Sequence, residues 1–113
     1  MTRERLPNRR DSTVFEFSHD NIAYTAGCSH YEDGRLAEVF LSGGKIDTQA
    51  DIFARDSAIA ASLALQNGCS VDDLRAALTR TGTNGPAGPL SVALDLIAAE
   101  QAALRAPVHY RRD

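Results

Sequence analysis

Hydrophobic and polar positions alternate with a period of two through the first third of the chain. From Thr13 to Phe17 successive side chains change face, with Phe15 and Phe17 together on one of them. His19-Asp20-Asn21 is a polar break suited to a turn. Ile22, Tyr24, Ala26 and Cys28 then share one face of a second strand, and Ala23, Thr25, Gly27 and Ser29 share the other. Glu32-Asp33-Gly34 reads as a further turn, because glycine tolerates the positive φ that closes such hairpins. A third strand follows through Leu36-Ala37-Glu38-Val39-Phe40-Leu41. Short turns between consecutive strands predict an antiparallel meander. One of its faces must be covered, since exposing both would leave the aromatic side chains in water.

After Ser42-Gly43-Gly44 the period lengthens to that of helices. Asp47 or Thr48 can cap a helix that reaches Asn67. Its predicted inner face is Ile52, Ile59, Leu63 and Gln66, flanked by Phe53, Ala60 and Ala64. Gly68 fits the left-handed position that ends a helix. Ser70-Val71-Asp72-Asp73 has the spacing of a capping box, with the Asp73 carboxylate able to reach the Ser70 backbone. The short helix it opens is expected to bury Val71, Leu74 and Leu78. A Gly- and Pro-rich stretch from Thr81 to Pro89 leads to a third helix, Leu90 to about Arg105, with Leu90, Leu94, Ile97 and Leu104 as its apolar face and Pro107 as a stop. Strands followed by helices indicate an α+β fold. The expectation is a three-stranded antiparallel meander followed by three helices packed on one face, in a single domain over 1–113 with Arg-rich tails at 1–11 and 106–113.

Length and composition narrow the classes without choosing among them. A chain of 113 residues fits one domain and can build a core without a metal or disulfide. No apolar run approaches 18 residues, and Met1 to Asp11 is polar and Arg-rich, so neither a membrane span nor a secretory signal is expected. A cytoplasmic location follows as an expectation. Cys28 and Cys69 form neither a disulfide framework nor a CxxC pair, and read as small buried hydrophobes. The net charge of −3 conceals a division. The two ends, 1–10 and 105–113, hold seven of the twelve basic residues against two acidic ones, while the body holds five against thirteen. Basic ends on an acidic body suit solvated tails, or an edge that binds phosphate, nucleotide or nucleic acid.

Candidate chemistry is sparse. His19, His30 and His109 do not form a metal-ligand set with each other or with a nearby Cys or carboxylate. Cys28 and His30 share a strand face without being held in a base-to-nucleophile geometry, so a redox or metal site built on Cys28 with His30 or Cys69 stands as the enzymatic alternative. Glu32/Asp33 belong to a turn, and Asp72/Asp73 to a helix start where the dipole favours negative charge. Ser42-Gly43-Gly44-Lys45 lacks the Walker spacing. Gly82, Gly85 and Gly88 do not make a dinucleotide fingerprint, although that loop can present amides to an anion at the third helix. Ala60 to Arg80 has the outline of a helix-turn-helix, a DNA-binding alternative that would turn Asp72 and Asp73 toward phosphates.

The order of several blocks resembles a known family. Arg5-Leu6-Pro7-x-Arg9-Arg10, Tyr24-Thr25 and Asp33-Gly34-Arg35-Leu36-Ala37-Glu38-Val39-Phe40-Leu41 resemble the TSCPD domain, and 56–68 with Gly88-Pro89-Leu90 and Ala93-Leu94-Asp95 continue the likeness. That domain occurs near the C-terminal end of adenosylcobalamin-dependent (class II) ribonucleotide reductases and as small stand-alone proteins. The resemblance implies a stand-alone accessory module of nucleotide metabolism. Its expected partners are a reductase subunit or another protein, a second copy of itself, or a nucleotide or nucleic acid. The anion- or partner-binding set is expected to be Arg5, Arg9, Arg10, Arg35, Lys45, Arg111 and Arg112. The Thr-Ser-Cys-Pro-Asp run that names the family is missing, and the chain is expected to lack the C-terminal cysteine motif of full-length reductases. The reductase reaction needs a thiyl-forming cysteine, a reductant pair and a large barrel. No catalytic or metal-ligating residue is therefore assigned, and adenosylcobalamin would enter only through a partner carrying ribonucleoside-diphosphate reductase activity.

Overall fold

The computed structural model describes residues 3, 4, 6 and 12–105. Three strands, β1 (Ser12–His19), β2 (Ile22–His30) and β3 (Leu36–Gly43), form one sheet in the order β1-β2-β3 with both pairings antiparallel. Three helices follow, α1 (Gln49–Gln66), α2 (Val71–Ala77) and α3 (Pro89–Arg105). The fold is the α+β meander-and-helices arrangement that the pattern predicts. Asp20 and Asn21 both take positive φ, 53° and 64°, as a two-residue turn matching the twist of β1 and β2 requires. Gly34 at φ 95° and Gly68 at φ 103° occupy the left-handed positions expected of them.

Register decides which side chains meet. Phe17 lies opposite Tyr24, Ala26 opposite both Phe15 and Leu41, and Cys28 opposite Val39. These residues share the face that packs on the helices, where Tyr24, Ala26, Cys28, Leu36, Val39 and Leu41 join Ala54, Ala58, Ala61 and Leu65 of α1 and Ala93, Leu94 and Ile97 of α3 in one core. The opposite face carries Val14, 68% exposed, and Phe40, 52% exposed.

The inner face of α1 differs from its sequence expectation. Ile52, Phe53, Ile59 and Leu63 are exposed, and the buried set is Asp51, Ala54, Ala58, Ala61, Leu65 and Gln66. The reason is proximity. α1 lies close enough to β3 for its side chains to bond the strand backbone, so alanine fits where isoleucine would hold the helix away. Thr48 is the N-cap and its hydroxyl accepts from the Asp51 amide, while Asp47 sits at φ 67°. Ser70 caps α2 by accepting from the Asp73 amide. Val71, Leu74 and Leu78 pack partly buried against the core. Leu104 is exposed, contrary to expectation, because α3 extends past the elements that cover its earlier turns.

Candidate functional site

A cleft of about 480 Å3 opens where the β2–β3 turn, the α1–α2 junction and the second half of α3 converge. That size suits a drug-sized molecule. Its floor is apolar, built from Leu36, Leu65 and Ile97, each less than a tenth exposed. His30, Arg35, Cys69, Asp72, Arg75 and Gln101 supply the polar rim. The Gln101 amide reaches across to the Gly34 carbonyl at 3.4 Å.

Arg35 is the most constrained side chain on this rim. Its terminal nitrogens donate to both carboxylate oxygens of Glu4 at 3.0 Å, and Nε donates to Asp33 Oδ2 at 2.8 Å. Its guanidinium carbon lies 4.7 Å from the centre of the Tyr31 ring. Those hydrogen bonds raise the Arg35 pKa, while the Arg35 backbone N–H and then its side chain hold Asp33 below the usual carboxylate value. Tyr31 is buried, donates to the Glu4 carbonyl at 3.2 Å, and has its phenol pushed up by burial. The Glu4 amide in turn donates to the Gln66 carbonyl at 2.7 Å. A stretch of the N-terminal segment is thereby tied to the β2–β3 turn and the end of α1.

Below the cleft, Asp95 of α3 holds two arginines. It accepts from Arg75 Nε at 2.9 Å and from Arg80 at 2.8 and 2.9 Å, which fastens α2 and the following loop to α3. The Arg80 hydrogen bonds, and then those of Arg75, outweigh desolvation and lower the Asp95 pKa. The loop itself is knitted by Thr81, whose amide donates to the Gly85 carbonyl and whose hydroxyl accepts from the Gly85 amide.

Among curated proteins, the chain is 34% identical over 88 residues to a vitamin B12-dependent ribonucleotide reductase of Bradyrhizobium diazoefficiens. It is related to one segment of that reductase. The match covers 78% of this chain and 7% of the relative, so the chain spans a small part of the relative's length. No family model and no solved structure matches it.

The sequence-derived set is divided by the fold. Arg35 lies on the cleft rim, and Lys45 lies exposed in the β3–α1 connection. These positions flank opposite ends of an eight-residue strand, some ~26 Å long, and do not form one site. Arg5, Arg9, Arg10, Arg111 and Arg112 lie outside the described residues. Cys28 is buried in the core, which pushes its thiol pKa up, whereas Cys69 and His30 line the cleft together. Among the described residues no group of three His, Cys, Asp or Glu could hold a metal ion, and no helix is long and apolar enough to cross a membrane. Cobalamin is far larger than the drug-sized molecules such a cleft accommodates, and the residues lining it do not fit that cofactor. Arg75 and Gln101 went unnoticed in the sequence, and Asp95 entered only as part of the family likeness, with no role. The i, i+3 pairing of Asp72 with Arg75 was the available signal for Arg75.

Proposed function

We propose that this chain is a TSCPD-type module, related to the C-terminal part of adenosylcobalamin-dependent ribonucleotide reductases, that acts in the cytoplasm by binding a protein partner and not by catalysis. The 34% identity across most of the chain carries this reading. The cysteine chemistry accompanies it. Ribonucleotide reduction needs a radical-forming cysteine and a separate reductant pair, whereas Cys28 is committed to the core and Cys69 stands at a cleft rim. Cobalamin, where it acts, belongs to the partner. The cleft is the proposed contact for that partner, because its apolar floor and hydrogen-bonding rim suit an inserted side chain or short peptide segment.

The test uses the purified chain and a purified B12-dependent reductase from which the matching segment has been deleted. Binding that restores reductase activity, and that Leu36→Asp or Ala98→Trp at the cleft weakens, supports the reading. Ribonucleotide reduction by the chain alone, with adenosylcobalamin and a dithiol, overturns it. Failure to bind the shortened reductase removes the reductase as partner.

A further inference from the structure

We propose that the outer edge of β1 is a self-association site, at which a second copy of this chain adds its own β1 antiparallel about a two-fold axis normal to the sheet. The product is one continuous six-stranded sheet. This inference stands independently of the relationship to reductases.

The two outer edges of the sheet are built differently. Along β3, side chains of α1 occupy the strand's outward backbone groups. The Ser62 hydroxyl accepts from the Val39 amide at 2.9 Å and donates to the Val39 carbonyl at 3.0 Å. Gln66 donates to the Ala37 carbonyl at 3.1 Å, and Asp51 accepts from the Gly43 amide at 3.2 Å. Covering an edge with a helix is one of the ways proteins prevent strand addition. Along β1, among the described residues, no hydrogen bond from another element reaches the outward backbone.

Among the described residues, β1 also has no bulge, and its sequence offers little else to block pairing. Its eight residues pair with β2 without interruption, whereas the irregularity in the sheet lies between Ser29 and His30, on the side of β3. The strand contains neither lysine nor proline, and Glu16 is its one charge. A regular edge of ~26 Å that carries a single charge is what a further strand pairs with.

The strand's own sequence favours a second copy as the occupant. Residues directly opposite in an antiparallel pair share a face, so a two-fold axis through a residue sets odd positions against odd and even against even. Centred on Phe15, the pairing sets Val14 against Glu16 and Thr13 against Phe17. Centred on Val14, it sets Val14 against itself and Thr13 against Phe15. Either register keeps all core-face rings on one side and covers Phe15 and Phe17, which are only half-buried in the single chain. The axis through Glu16 is disfavoured, because it sets like charges opposite each other. Such an edge in a domain two layers thick buries roughly 1,000 Å2 over both copies. That lies near the lower bound for a specific pair, and the expected Kd is about micromolar.

Sedimentation velocity of the full chain from about 1 to about 300 μM, a range bracketing that Kd, is the test. The expected result is a monomer–dimer equilibrium. Val14→Glu sets carboxylates opposite each other in both registers and should weaken dimerisation about tenfold or more. It should leave the circular dichroism unchanged, since Val14 is 68% exposed. Val14→Lys separates the registers, strengthening association if the axis passes through Phe15 and weakening it if through Val14. Phe40→Ser, on the same outer face but on β3, should change little. A chain that remains monomeric throughout overturns the proposal, as does a dimer that Phe40→Ser disrupts and Val14→Glu leaves intact.

Discussion

The two edge strands of this small sheet, β1 and β3, have the same length and opposite fates. β3 is locked to α1 by Asp51, Ser62 and Gln66, whose side chains are buried or half-buried and bond its backbone at Gly43, Val39 and Ala37. β1 meets β2 along one side and presents Val14 and Glu16 to water. The difference shows what an amphipathic helix can do beyond covering a face. By carrying alanine at positions 54, 58 and 61, α1 approaches closely enough for three polar side chains to substitute for a fourth strand. Buried backbone groups need such partners, and β3 has them.

The largest effect should come from breaking the sealed edge. Ser62→Ala combined with Gln66→Ala leaves the Val39 amide and the Val39 and Ala37 carbonyls without partners, and should cost about 3 kcal/mol in urea unfolding. A loss below about 0.5 kcal/mol would mean that water replaces the hydroxyl and the seal contributes little. Gly43→Ala, at the end of the same strand, should cost about 1–3 kcal/mol. A Cβ there would stand 2.1 Å from the Tyr24 ring. Gly27→Ala makes the contrasting case on the other face. Its Cβ would meet Phe40 at an ordinary 3.5 Å, and the change should be neutral or stabilising by up to about 0.5 kcal/mol.

Acid sharpens the same comparison. Asp51, through the Asp47 and Gly43 amides and Arg55, and Asp95, through its two arginines, both have lowered pKa values. A carboxyl depressed in the folded state contributes stability above its unfolded value, near ~4, and that contribution is lost as pH falls through the folded value. The melting temperature should therefore be flat above about pH 5 and fall below about pH 4. Asp95→Asn should flatten part of that fall and cost about 1 kcal/mol at neutral pH, discounted because the group is a quarter exposed. A melting temperature that rises on acidification would contradict both assignments. Smallest of all, Val14→Ser should change the unfolding free energy of the single chain by less than about 0.5 kcal/mol, as expected for an exposed edge position.

How much of this was legible follows from which signals are local. Alternation at Phe15, Phe17, Tyr24, Ala26 and Cys28 identified the strands and their inner face, and Gly34, Gly68 and Ser70 marked turns and caps through backbone chemistry that acts within a few residues. The face of α1 was misjudged because hydrophobicity ranks Ile52 and Ile59 above Ala54 and Ala58, whereas close approach to β3 selects small side chains with Ser62 and Gln66 among them. That selection depends on a distance between elements, which no single-chain pattern encodes. The cleft was invisible for the same reason. Arg35, Arg75 and Gln101 lie 26 or more positions apart and meet only through the fold. Arg35 was expected to bind an anion or a partner, and the structure places Glu4 and Asp33 against it.

Native-state hydrogen exchange of the full chain at two concentrations, well below and well above the dimerisation midpoint, tests the contrast between the edges most directly. The contrast requires that the Val39 and Gly43 amides exchange slowly at both concentrations, and that the outward-facing amides of β1 exchange quickly when dilute and become protected when concentrated. Fast exchange at Val39, or β1 amides indifferent to concentration, would contradict it.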